Sequence, residues 1–178
     1  MKSYSQRNAR AVWLGALLVL LGFASLGTAV PLRAEFLQPV AVQVTNGEGS
    51  QDTLIDGLGF EDPGVGTPDS VHNRLASDMW SGIGSIRESA TFDLGQSVSL
   101  TTVYIWNYNV LNATDVGMKD VEVQVSPDAD MSTARFIAIA RITLAEGGEK
   151  AQAFEVVGTS VRLVRLKGLS NWGQGYTV

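Results

Sequence analysis

Polar and aromatic residues that could do chemistry in this sequence fall in three groups, around position 72, around position 107 and near the C-terminus. An aromatic ring offers a flat apolar surface to the C–H face of a sugar, and amide or guanidinium groups can bond to its paired hydroxyls. Carbohydrate binding is therefore one chemistry for which these residue types are candidates. The predicted ligand-binding residues are His72, Arg74, Asn107, Tyr108, Asn109, Asn171 and Trp172.

Two of the tryptophans fit a hydrophobic core better than a ligand site. Trp106 falls in the middle of an apolar stretch, and Trp80 follows a polar stretch that it could anchor. Trp172 lies among small and polar residues and is the better candidate for an exposed platform, although it could equally close one end of a barrel. Asn73 and Tyr176 are further loop candidates.

Acidic residues crowd the segment between Asn46 and Ser70, where glycines would let backbone carbonyls turn inward. Calcium binds about six to eight oxygen atoms from carboxylates, carbonyls and water. The segment has no EF-hand spacing, and an acidic loop is often only solvated, so spacing alone leaves both interpretations open. Should a structural calcium ion bind, its predicted ligands are Asp52, Asp56 and Asp62.

The sequence shows no catalytic spacing. His72 is the single histidine, and Ser70 and Asp69 do not stand at a recognisable triad spacing from it. No glycine-rich stretch precedes a helical pattern, which excludes a phosphate-binding loop. We therefore predict no catalytic residues and no enzyme. The enzyme alternative would require two carboxylates facing each other across a cleft.

The composition excludes several classes of protein. The 178 residues include no cysteine, so disulfides, Cys-based zinc sites and thiol nucleophiles are excluded. With 18 acidic and 13 basic residues the net charge is −5, which argues against a nucleic-acid partner. Hydrophobic residues make up 45% of the chain, too large a share for a disordered protein.

Residues 1–34 have the layout of a secretory signal peptide, with basic residues, then an uncharged apolar run, then small residues. Cleavage is expected after Ala29 or Ala34, although residues 11–30 are long enough to be a retained membrane anchor. Residues 35–178 then carry nine basic and 18 acidic residues, a net charge of −9. We predict an exported domain, secreted, periplasmic or at the cell surface, with membrane contact only through an uncleaved N-terminal segment.

From residue 35 onward the hydrophobic pattern is that of β-strands. Between Lys119 and Ser126 valines alternate with polar residues, as in a strand with one buried face. Glycines at positions 95 and 158 are taken as turn signals. The predicted strands are Ser89–Leu94, Leu100–Tyr108 (a central strand, with apolar bulk on both faces), Lys119–Ser126, Arg135–Leu144, Ala151–Val157 and Val161–Lys167. The fold class is therefore all-β, an antiparallel sandwich or barrel.

Three further features of the sequence lead to predictions. Residues 45–88, rich in Gly, Asp, Ser and Pro, form a predicted long loop that is either functional or a surface excursion pinned by apolar residues. Arg162 and Arg165 are expected on opposite faces of one strand, with Arg165 buried and paired with a carboxylate. The apolar segment Asn171–Val178 should begin a new strand, so we expect that a closing strand is missing from the sequence.

Short motifs follow one another between residues 37 and 178 in a characteristic order: Ile55-Asp56-Gly57, Met79-Trp80, Ala90–Gly95, Leu100–Tyr104, Lys119–Val123 and Val161–Leu166. In order and spacing they resemble discoidin domains, also called coagulation-factor type C domains. The run Tyr104–Asn109 is similar to bacterial members found in exported, polysaccharide-handling proteins. The resemblance implies a galactose-binding-like jelly-roll sandwich, in agreement with the strand pattern.

The resemblance also implies binding and not catalysis, with carbohydrate as the partner, as in family 32-type carbohydrate-binding modules joined to glycoside hydrolases. A structural calcium under the loop that begins at Asp56-Gly57 is implied as well. We predict a non-catalytic carbohydrate-binding module attached to other domains of a longer chain. The alternative is a structural or adhesion module that binds proteins. It would be favoured if Trp80, Trp106 and Trp172 were all buried with no aromatic residue beside a polar cleft.

Overall fold

The computed structural model describes residues 36–46, 50–61, 66–82 and 88–173. Within these ranges the strands are β1 Ala41–Val44, β2 Ser89–Ile105, β3 Asp120–Ser126, β4 Ile137–Thr143 and β5 Gln152–Gly168. Short 3₁₀ helices span Gln51–Leu54, Ala76–Asp78 and Thr114–Val116. No helix in the described ranges is long and apolar enough to cross a membrane. The predicted signal peptide lies outside them.

The five strands form one antiparallel sheet in the order β1-β2-β5-β3-β4. β2 has β1 as a second neighbour only along residues 90–93. Residues 100–105, predicted as part of a central strand, pair with β5 alone among the described strands, although Val103 is fully buried. On β3 the alternation observed in the sequence buries Val121, Val123 and Val125. The predicted all-β, antiparallel fold class is confirmed.

β2 and β5 are each longer than the strands predicted in their place. Their mutual pairing continues past Gly95 and Gly158, with register shifts between Asp93 and Thr102. Gly95 has a φ of 76°, in the left-handed region that favours glycine. The turns predicted at these two glycines are therefore wrong, because the glycines lie at irregularities that bend a continuous strand.

The bend brings the two ends of β2 close together. Ala90, near its start, and Ile105, at its end, line the same cavity, although fifteen residues of straight strand would span about 50 Å. The β2–β5 pair therefore folds over the rest of the sheet, and apolar residues of both parts meet in one core. This is the layered arrangement of a β-sandwich.

An ion pair joins the two long strands where they bend. The Arg162 guanidinium donates to both Asp93 oxygens, with Nη2 to Oδ2 at 2.9 Å, and the Gly95 amide donates to Oδ1 at 2.7 Å. Burial disfavours the charge on Asp93, but these hydrogen bonds outweigh burial and hold the pKa of the carboxyl below its ordinary value.

Among the described residues, Arg165 does not have the carboxylate partner that the sequence predicted. Its Nε donates to the Gln124 amide oxygen at 2.7 Å, and its guanidinium lies 3.8 Å from the centre of the Phe136 ring. The reason is register: Gln124 stands directly opposite Arg165 in the β3–β5 pairing. Of these two β5 arginines, Arg162 is the one that pairs with a carboxylate.

Asp93→Asn is expected to lower the melting temperature at pH 7 by roughly 5–10 °C, because the Arg162 guanidinium loses its anionic partner. Since folding lowers the pKa of Asp93, the carboxylate adds stability above its ordinary pKa of 3.8 and loses this contribution as the pH falls through the folded value. The gap between wild type and variant, measured by thermal unfolding, should therefore shrink as the pH falls below 3.8.

Glu149→Gln is the matched control, because Glu149 pairs with Arg74 and the two side chains are 48% and 50% exposed. Exposed pairs contribute little, so the control should melt close to wild type. Equal losses in the two variants at pH 7 would contradict a special role for the pair of Asp93 and Arg162.

Candidate functional site

Several loops meet at one end of the sheet, and hydrogen bonds join them. The Asn107 Nδ2 donates to the backbone oxygens of Met118, at 2.7 Å, and Ala145, at 2.8 Å. The backbone N–H of His72 donates to the Glu149 oxygen at 2.7 Å. The segments that these bonds hold together are 66–82, 106–119 and 144–151.

A cleft of about 370 Å³, open to solvent, lies where these loops meet. The tryptophans at positions 80 and 106 are only 7% and 9% exposed, and they supply much of its apolar wall. The prediction that both belong to the core is confirmed, but both also line the cleft. The cleft's polar and aromatic contributors are Thr53, His72, Asp78, Asn107 and Tyr108.

Trp106 is held in place by its polar edge and by its ring. Its Nε1 donates to the Ser70 backbone oxygen at 3.0 Å. The Phe60 ring packs edge-on against it with 5.0 Å between ring centres, and Phe60 in turn packs edge-on against His72. These three rings connect the long loop to the end of β2.

The His72 ring is fixed by close packing and by one hydrogen bond. Its Nδ1 lies 2.9 Å from the Asn73 backbone oxygen, and because a carbonyl can only accept, Nδ1 carries the proton. A methyl group at position 59 would lie 2.2 Å from Nε2, so the ring can occupy this place only over a glycine. The ring therefore has one well-defined orientation beside the cleft.

The three neighbouring residues Asn107, Tyr108 and Asn109 have different environments. Asn107 lines the cleft, but its amide is occupied by the two loop carbonyls and by the Tyr108 N–H, so it positions the loops. Asn109 is 2% exposed and donates to the His72 oxygen; its Oδ1 has no hydrogen-bond partner among the described residues. Tyr108 is half-buried and places an aromatic ring beside polar groups of the cleft.

The remaining predicted ligand residues do not line the cleft. Arg74 pairs with Glu149 at 2.9 Å, and both side chains are about half exposed. Asn171 forms an isolated β-bridge with Met118. Trp172 is 36% exposed, with the Lys119 ammonium 4.8 Å from its ring centre. The structure thus brings together three of the seven predicted residues, namely His72, Asn107 and Tyr108.

Asp78 is the most important cleft residue that the sequence did not indicate. It ends a 3₁₀ helix, and its Oδ2 accepts from the Asn73 Nδ2 at 2.6 Å. Its position just before the Met79-Trp80 pair was the available signal, because a buried tryptophan holds its chain neighbours near the core surface. Among the described residues it is the one carboxylate that lines the cleft.

The structure describes two of the three predicted calcium ligands, Asp52 and Asp56. Burial, together with the nearby Asp78 and Asp52 carboxylates, raises the pKa of Asp56. The Asp56 Oδ1 accepts from the Leu58 N–H at 3.0 Å. Within the described residues no three His, Asp or Glu side chains come together as a metal site. Asp62, like Tyr176, lies outside the described residues. The described carboxylates alone do not supply the six or so oxygens that calcium prefers.

The C-terminal part of the chain matches a known protein family. Residues 76–178 match a family model described as Sad1 / UNC-like C-terminal. A comparison with curated proteins found no match.

Solved structures are similar over most of the chain. CpGH89CBM32-5 from Clostridium perfringens, in complex with GalNAc-β-1,3-galactose, is 16% identical with a TM-score of 0.52, covering 78% of this chain and 88% of that one. The family 32 carbohydrate-binding module of C. perfringens NanJ, in complex with galactose, is 12% identical with a TM-score of 0.51, covering 78% and 86%. These likenesses confirm the predicted galactose-binding-like β-sandwich and the discoidin-like resemblance at the level of the fold.

Proposed function

The chain belongs to the Sad1/UNC-like C-terminal family, and we propose that the cleft at its loop end binds carbohydrate. The observation that carries this proposal is the half-buried Tyr108 ring, which stands in one cleft with His72 and Asp78. An aromatic face beside polar side chains can bind both the C–H face and the hydroxyl groups of a sugar ring. The carbohydrate-bound structures of similar fold support the same function.

Each side chain has a definite role in this proposal. Tyr108 packs against the C–H face of the sugar, while the Asp78 carboxylate accepts hydrogen bonds from hydroxyl groups. His72, packed over Gly59 and bonded through Nδ1 to the Asn73 backbone oxygen, forms part of the cleft wall beside the sugar. Asn107 holds the loops that form the walls. A cleft this open binds weakly at a single site, so a second binding module in the same longer chain would increase avidity.

The wider setting of the site belongs to the same proposal. The chain acts as a non-catalytic module of a longer exported protein. The layout of residues 1–34 supports export, and the similar fold of carbohydrate-binding modules supports a binding role.

Tyr108→Ala is expected to weaken galactose binding about tenfold, because the sugar loses its aromatic platform. The measurement is calorimetric titration of the folded protein with galactose and with N-acetylgalactosamine. Trp172→Ala is the control, since Trp172 lies outside the cleft and should leave the affinity close to that of wild type. A larger loss in Trp172→Ala than in Tyr108→Ala would move the site to Trp172, and binding of neither sugar would count against the proposal.

A protein-binding module is the second candidate function, and the exposed apolar side chains of Ile137 and Val157 favour it. They are 68% and 82% exposed, and both lie on strands, away from the cleft residues. The position of Tyr108 beside a polar cleft favours sugar binding over protein binding. Loss of partner binding in an Ile137→Ser variant with an intact sugar affinity would establish both functions.

We further propose that calcium stabilises the acidic loop through Asp56. Calcium at about a hundred times its Kd should raise the free energy of unfolding by about 2.7 kcal/mol in wild type, and Asp56→Asn should lose most of this gain. In chelator the variant should melt at or above wild type, because burial and neighbouring carboxylates disfavour the charge on Asp56. Asp69→Asn, an exposed acid of the same loop, is the control. Melting of wild type that is independent of calcium would refute the proposal.

A further inference from the structure

A second cavity adjoins the cleft and reaches the hydrophobic core. It encloses about 550 Å³, part of it open to solvent. The residues that line both spaces are Leu54, Trp80, Trp106, Asn107 and Tyr108. Because five residues are shared, the two spaces are neighbouring parts of one site.

The inner walls of this cavity differ from those of the cleft. They consist of buried apolar side chains of the sheet, chiefly Ala90, Phe92, Ile105, Leu144 and Leu166. None of the cleft's polar residues Thr53, His72 and Asp78 lines this part. The Asn107 amide, which touches both spaces, already bonds to three backbone groups.

The cleft and the inner cavity together have polar side chains at one end and apolar side chains at the other. This contrast indicates the kind of ligand that fits. A bare sugar would fill the cleft and leave the apolar space without contacts. A hydrocarbon without a polar head would leave Asp78 and His72 unused. A sugar that carries a short hydrocarbon chain satisfies both ends, since each methylene moved from water into apolar surroundings adds to the affinity.

We infer that the site takes a carbohydrate substituted with an alkyl or acyl chain, with the sugar in the cleft and the chain in the cavity beneath Trp80 and Trp106. The inference rests on the proposed carbohydrate binding and adds the substrate class. The chain could be attached at the anomeric carbon, as in a glycolipid, or through an ester on a ring hydroxyl, as in an acylated polysaccharide. The shared chemistry is a sugar joined to a short hydrocarbon chain.

Calorimetric titration with methyl galactoside, butyl galactoside and O-butyryl galactose tests this inference. Each added methylene should tighten binding about fourfold, so the butyl glycoside should bind roughly 50-fold more tightly than the methyl glycoside if the chain is anomeric. If the chain is an ester, the O-butyryl sugar shows the gain instead. Binding of galactose with no gain from either chain would overturn the inference and leave the proposed function standing.

Ala90→Leu tests the location of the chain, because Ala90 lines the inner cavity and not the cleft. The larger side chain should occupy the space of the hydrocarbon, so the butyl and methyl compounds should then bind equally. Ala90→Val is a smaller filling variant should Ala90→Leu fail to fold. Ala138→Leu, at an exposed strand alanine, is the control and should keep the full gain. An undiminished gain in both position-90 variants would overturn the inference.

Binding of hexanol tests the apolar cavity independently of carbohydrate binding. Because Trp80 and Trp106 line the cavity, hexanol should change the tryptophan fluorescence of wild type but not of Ala90→Leu. A response to hexanol together with a failure of every sugar to bind would support the apolar cavity and refute carbohydrate binding. No response to hexanol and no gain from the chains would overturn the inference.

Discussion

Replacing Trp106 with alanine is expected to lower the free energy of unfolding by about 4 kcal/mol, the largest effect of any single change proposed for this chain. The side chain is 9% exposed, packs on Phe60 and bonds to the Ser70 backbone oxygen. Its removal opens a void between the loops and the sheet and leaves that oxygen without its donor. Since domains are stable by only about 5–15 kcal/mol, much of the stability would be lost. Urea unfolding provides the measurement.

Two further variants show which part of the Trp106 side chain contributes to the free energy of unfolding. Trp106→Phe keeps a ring against Phe60 but loses the indole N–H, and it should lose only about 1–2 kcal/mol. Trp172→Ala removes a tryptophan that is 36% exposed and should lose less than about 1 kcal/mol. A loss below about 1 kcal/mol in Trp106→Ala would show that Trp106 does not hold the loops on the core.

The second large effect is expected from Asn107→Ala, which should lower the free energy of unfolding by about 3 kcal/mol. The substitution leaves the Met118 oxygen without its donor, the Ala145 oxygen with only a long bond of 3.4 Å from the Gln152 amide, and the Tyr108 N–H without the Asn107 acceptor. Because these groups lie on two different loops, the cleft should also lose its shape and its affinity for sugar. Urea unfolding and sugar titration of the same samples measure both consequences.

Asn109→Ala is the matched control for the Asn107 variant. Asn109 is also an asparagine buried among the loops, at 2% exposed, but it makes one long bond of 3.3 Å to His72, and its Oδ1 is unbonded among the described residues. It should lose only about 1 kcal/mol. If both alanine variants lost equal stability, burial rather than the loop-joining bonds would explain the effect of Asn107→Ala.

The strand pattern was predictable because alternation of apolar and polar residues depends only on neighbouring positions. Val121, Val123 and Val125 are buried as this alternation predicts. Gly95 and Gly158 were misjudged because a glycine in a strand pattern fits either a turn or an irregularity. Only the partner strand, distant in sequence, decides between these two outcomes.

The candidate site was less predictable, because its residues are brought together by long-range contacts. Residue type indicated Tyr108 and His72 as ligand candidates, and the structure places both in the cleft. It could not show that the Asn107 amide is occupied by Ala145, 38 positions away, or that Trp172 lies beside Lys119. Asp78 gave little signal, because a carboxylate in a polar loop is ordinarily a solvated residue.

The measurement that tests carbohydrate binding in the cleft most directly is an NMR titration of the isotope-labelled protein with galactose, followed through the tryptophan indole N–H signals. Trp80 and Trp106 line the cleft and Trp172 does not. We expect the Trp80 and Trp106 signals to shift and saturate together, and the Trp172 signal to stay in place. No shift at high galactose concentration, or a shift confined to Trp172, would contradict the proposed site.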